Sequence, residues 1–128
     1  MQVIKEEKTM AEQSMLQIFD QEGISNVEFA ESNILDEAAI RKIGDELQSV
    51  VDRKGLPKIV LNFKNVSALS SSALGMLITI NTKVNEKHGK LAMACIKGPI
   101  REVFRITKLD KAFSIHDTVG EAISAVRS

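Results

Sequence analysis

With 128 residues, 44% of them apolar, the chain is long enough for one domain with an ordinary hydrophobic core. Seventeen basic and seventeen acidic residues cancel, so no net charge draws it to nucleic acid or to an anionic membrane. Its only aromatic residues are five Phe, a poor supply for the base-stacking platforms of single-strand binders.

A single cysteine, Cys95, excludes an internal disulfide and fits a reducing cytoplasm, the expected compartment. Cys95 with His88 and His116, far apart in sequence, does not make a transition-metal ligand set, and no cofactor is expected. No apolar run approaches the length of a membrane span, and the first residues lack a signal peptide's apolar core, so no membrane partner is expected either.

Residues 1–14 are charged or polar without a sustained period and read as a flexible tail, leaving the domain to residues 15–128. Met15 to Asp20 suits a strand, with Leu16 and Ile18 on one face and Phe19 on the other. Gln21-Glu22-Gly23 reads as a turn, and Ile24 to Ala30 alternates again, which predicts a hairpin. Asn33 to Asp36 opens a helix that either Asn33 or Asp36 can cap, and Ile40, Ile43, Leu47, Val50 and Val51 form its apolar stripe. Gly55 and Pro57 end that segment.

Ile59-Val-Leu-Asn-Phe63 is a short apolar run with little alternation, the pattern of a parallel strand covered on both faces. Ser70, Ser71 and Ser72 follow, and then a helix to about His88 that Gly89 stops. Lys90 to Ile96 predicts a second buried strand. Gly98-Pro99 starts a helix whose inward positions are Ile100, Val103 and Phe104, with Ile106 at the margin. Leu109 and Phe113 flank a bend, Phe113 to Ile115 suits a short edge strand, and Thr118 caps a last helix with Val119, Ala122, Ile123 and Val126 inward. The order β-β-α-β-α-β-α-β-α predicts a single α/β domain, a mixed β-sheet packed against helices by right-handed crossovers.

The helix behind the serines is apolar over an arc of roughly 200°, wider than the ~100° a one-sided surface helix needs. Two readings follow. The helix is buried between the sheet and a neighbouring helix, or Met76 and Ile80 form an exposed edge beside the serines, rimmed by Thr79 and Lys83. The hydroxyl cluster itself suits both a helix cap and a phosphate acceptor. Arg101, Arg105 and Lys108 line a basic helix face, either solvated or turned to an acidic partner. Cys95 reads as inert packing and the two histidines as surface residues near element ends.

Asn62-Phe-Lys-Asn-Val-Ser-Ala-Leu-Ser-Ser-Ser-Ala-Leu-Gly-Met-Leu77 resembles the signature of STAS domains in bacterial anti-sigma-factor antagonists. The stretch from Gly89 to Ile115 is also similar to that family, and the likeness extends over roughly residues 15 to 126. Where the family's loop reads Asp-Ser-Ser-Gly, this chain has Ser70 for the acid, Ser71 at the acceptor serine, Ser72 at the second serine and Ala73 at the glycine. The resemblance implies a STAS domain over 15–128 that acts as a non-enzymatic switch. Unphosphorylated, such a protein binds an anti-sigma factor that is also a serine kinase and thereby releases a sigma factor. Phosphorylated, here at Ser71, it lets go, and a phosphatase resets it. Ser70, Ser72, Ala73, Met76, Thr79, Ile80 and Lys83 are then the expected partner contacts.

The alternative is a STAS subunit of a larger signalling or lipid-transport complex that is never phosphorylated, which the loss of the acid at Ser70 favours. A serine hydrolase is disfavoured because Ser71 lacks the flanking glycines of a nucleophile elbow. His88 lies about 17 residues, or ~25 Å of helix, from Ser71, which leaves His116 as the one histidine not excluded. Oligomeric state is left open.

Overall fold

The computed structural model describes residues 15–53 and 55–127; the tail expected over residues 1–14 lies outside the described residues. β1 (Leu16–Gln21) and β2 (Ile24–Phe29) form the predicted hairpin, antiparallel from Leu16 against Phe29 to Gln21 against Ile24. Its two-residue turn places both Glu22 (φ 55) and Gly23 (φ 82) in the left-handed region. Such a turn matches the twist of the flanking strands.

β4 (Lys58–Asn62), β6 (Lys90–Ala94) and β7 (Ser114–His116) complete a five-stranded sheet in the order β1-β2-β4-β6-β7, parallel from β2 onward. Among the described residues the helices are α1 (Glu37–Arg53), α2 (Ser71–Glu86), α3 (Gly98–Ile106) and α4 (Val119–Arg127), with a 3-10 turn at Leu109–Lys111. The sequence missed two short strands, β3 (Asn33–Ile34) and β5 (Ala68–Leu69), which pair in parallel as a separate small sheet. Asn33 therefore belongs to a strand. Asp36 is the cap of α1, its Oδ2 accepting from Ala39 N–H at 3.0 Å.

The sheet separates two cores. The larger gathers the α1 stripe of Ile40, Ile43, Leu47, Val50 and Val51, all buried as expected, with Leu77 of α2, Phe104 of α3 and Ile59 and Leu61 of β4. The smaller puts Val60, Ala92 and Ala94 under Ala122 and Val126 of α4. β4 is thus apolar on both faces because both are covered.

Three boundaries depart from expectation. α3 buries Ile100 and Phe104, the latter stacked obliquely on Phe113 at 5.8 Å, while Val103 (39%) and Ile106 (66%) stay exposed. With two buried positions a turn apart, α3 meets the core along one narrow line. β6 ends at Ala94 because Cys95 turns out of the sheet with φ 62. At the end of α2 the left-handed residue is His88 (φ 62), with N–H bonds from His88 to Asn85 O and from Gly89 to Val84 O. Gly89 serves a different need: a Cβ there would run into the Pro57 carbonyl oxygen and lie 2.7 Å from Pro57 Cγ.

Candidate functional site

The serine junction lies beyond the carboxyl end of β4, and its tethers run to another part of the chain. Asn62, buried at the strand end, accepts the Lys64 N–H on its Oδ1 at 3.0 Å and turns the loop. Ser67 N–H then donates to Ser32 O (2.7 Å) and Ser70 N–H to Ile34 O (3.1 Å), bracketing the β3–β5 pairing. Lys97, just before α3, spans the gap to this loop and donates from Nζ to Ser67 Oγ at 3.4 Å.

The three serines take different parts. Ser70 is the cap of α2: its backbone is extended (φ −90, ψ 170) and its Oγ accepts from Ala73 N–H at 3.2 Å. Ser71 is the first helical residue and is exposed, and its hydroxyl takes no part in that cap. Ser72 is also exposed, on the side facing α1. No acidic side chain lies in the first turn, so the positive end of the helix dipole meets three uncharged hydroxyls. A phosphate there would be stabilised by free N–H groups and the dipole without disturbing the helix.

Two of the expected partner contacts on α2, one of them in the expected exposed edge, are corrected. Ala73 (0%) and Ile80 (3%) are buried, because α1 packs against that side. The two helices approach closely at Gly44, where a Cβ would sit 3.1 Å from Met76 Cγ. Met76 is half-buried and, with Ser72 and Thr79, lines a groove of about 420 Å³ between α1 and α2. Lys83 is half-buried one turn beyond Thr79 and does not line that groove.

The exposed apolar residues near the junction are ones the sequence did not single out. Ile78 (41%) follows Ser71 by two turns, within roughly 20° of the same helix face and about 10 Å along it. Leu35 (52%) comes directly after Ile34, whose carbonyl holds Ser70. A helical wheel centred on Ser71 instead of on the apolar arc would have found Ile78. Leu35 carried no signal, since its position depends on the unpredicted β3–β5 pair. His116, the histidine left as a base, pairs with Ser114 on the edge strand β7, its Nε2 2.7 Å from Ser114 Oγ. Among the described residues no helix is long and apolar enough to cross a membrane.

The STAS domain profile matches residues 16–122, nearly the whole described fold. The chain belongs to the STAS-domain family. It is 31% identical over 74 residues to a candidate anti-sigma factor antagonist of Thermotoga maritima, a match spanning 58% of this chain and 66% of that relative. Among solved structures it is similar to a STAS domain protein described as an anti-sigma-factor antagonist from Planctomyces limnophilus, with TM-score 0.80 and 17% identity over 88% of this chain and 98% of that one. It also shares its fold with the Bacillus cell fate determinant SpoIIAA in the phosphorylated form, with TM-score 0.66 and 18% identity over 88% and 99% of the two chains. In this STAS domain, then, the serine junction opens α2, and the α1–α2 groove and Ile78 lie on the same helix.

Proposed function

We propose that this STAS protein is an anti-sigma-factor antagonist of the cytoplasm, controlled by phosphorylation of Ser71. Unphosphorylated, it binds an anti-sigma factor that is also its serine kinase, and a sigma factor is released. Phosphorylated, it dissociates, and a phosphatase restores the binding form. The protein itself carries out no chemistry; its work is recognition. The observation that carries this reading is the division of labour at the junction: Ser70 caps the helix, which leaves the neighbouring Ser71 hydroxyl exposed and, among the described residues, without a hydrogen-bond partner. That a protein of the same fold exists in a phosphorylated form supports it.

The contact surface in this proposal comprises Ser71, Ser72, Met76, Thr79 and the exposed Leu35 and Ile78, with Ser70 and Ala73 shaping the helix start from beneath. Phosphorylation adds about −1.5 to −2 charges. A dianion carried into a packed interface without a counter-charge costs on the order of 2–5 kcal/mol, a loss of roughly 30- to several-thousand-fold in affinity. Such a switch needs no change of fold.

The test is binding of Ser71→Ala and Ser71→Asp variants to the cognate anti-sigma-factor kinase, with intact mass of the protein from its native cell. The proposal expects Ser71→Ala to bind, Ser71→Asp to bind far more weakly, and a species heavier by about 80 Da that phosphatase removes. Equal binding by both variants, with no heavier species under any growth condition, would instead mark an unphosphorylated interaction subunit.

A further inference from the structure

A second surface, distinct from the serine junction, lies on α3 and the residues that follow it. Between Lys97 and Lys111 the chain carries five basic and two acidic side chains, an excess of three positive charges in a chain whose total is zero. Three of the cations are committed: Arg101 pairs with Asp117 at 2.8 Å, Arg105 with Glu102, and Lys97 Nζ donates to Ser67 Oγ at 3.4 Å. The hydrogen bond from Arg105 also holds the Glu102 carboxyl below the usual carboxylate range. Lys108 and Lys111 are exposed and, among the described residues, lie within ion-pair distance of no carboxylate.

Just before these lysines in the chain comes an apolar strip. Val103 and Ile106 are about 60° apart around the helix, on the flank away from the buried Ile100 and Phe104. Ile106, at 66%, is the most exposed large apolar side chain among the described residues. An isolated exposed isoleucine is ordinary; two apolar side chains on one flank, followed in the chain by the unpaired Lys108 and Lys111, form a patterned surface.

We propose that this flank of α3 docks an acidic protein segment, one that seats an apolar side chain on Val103 and Ile106 and places carboxylates at Lys108 and Lys111. Charge complementarity decides the occupant. A nucleic acid or lipid headgroup layer would bring phosphates equally to Glu102, Asp110 and Asp117, whereas a segment with spaced carboxylates reaches the lysines selectively. The surface does not depend on Ser71, so it stands or falls apart from the phosphorylation reading.

The experiment titrates the full chain, labelled with nitrogen-15, with a synthetic amphipathic peptide of leucine and glutamate, and with the same peptide carrying lysine for glutamate. The expected result is that only the acidic peptide shifts the amide signals of Val103, Ile106 and Lys108, that added salt weakens it, and that Ile106→Asp and Lys108→Glu each weaken it about tenfold. Both positions are exposed, so unchanged melting of the variants separates lost docking from lost folding. Three results would overturn the proposal: equal binding of both peptides, shifts confined to another face, or binding to phosphatidylcholine–phosphatidylglycerol vesicles without binding to the acidic peptide.

Discussion

Replacing Ser70 by alanine should destabilise the protein, and replacing Ser71 should not. The Ser70 side chain contributes one hydrogen bond to the fold, from Ala73 N–H to its Oγ at 3.2 Å, at a helix end with no acidic side chain in its first turn. Loss of such a cap costs about 1 kcal/mol, within a range of roughly 0.5–2. For a domain of this size that corresponds to a fall in melting temperature of about 4 °C per kcal/mol. Ser71 is exposed and already helical, so Ser71→Ala should change stability by less than about 0.5 kcal/mol, with alanine's higher helix propensity pushing upward. Ser70→Asp should keep the cap and gain up to about 1 kcal/mol from the helix dipole. Urea denaturation of the three variants beside the parent protein measures all of this without any partner. If Ser71→Ala costs as much as Ser70→Ala, or Ser70→Asp drops to the alanine level, the assignment of cap and free hydroxyl is wrong.

Ile80→Ala should cost about 2–5 kcal/mol because its side chain is enclosed between α1, α2 and the sheet, while Ile78→Ala should stay within about 0.5 kcal/mol and weaken partner binding instead. Gly89→Ala forces a Cβ against the Pro57 carbonyl, so a loss of about 1–3 kcal/mol is expected in the same denaturation assay. Gly44→Ala meets only the flexible Met76 side chain, so stability should change by less than about 1 kcal/mol while the α1–α2 groove narrows. A crystal structure of that variant shows whether Met76 has moved.

The sequence was most informative where one physical constraint dominated. The α1 stripe had a strong period and a single face to bury, and all five residues named from it are in the core. The apolar run of β4 could only be a strand covered on both sides, and it is. The two-residue strands β3 and β5 were illegible because pairs of residues have no period, and their pairing depends on a contact between distant segments. Ile80 was misplaced for a related reason. An apolar arc of roughly 200° says that a helix has two covered sides, but not which side a neighbouring helix takes; Gly44 decides it, and a lone glycine within a helical pattern does not announce its partner. At the junction, sequence and resemblance located the serines, but only the cap geometry separated Ser70 from Ser71.

The tethers of the serine loop have a consequence for when the junction comes into being. Ser67 and Ser70 are held by Ser32 and Ile34, partners roughly 35 residues earlier in the chain, and the hydroxyls gain their arrangement only once α1 and β4 lie between those segments. Contacts of such long loop closure form late in folding. A nascent or partly unfolded chain therefore displays the three serines in sequence but not in shape. An enzyme that reads the capped helix start, and not the bare peptide, acts only on molecules that have finished folding.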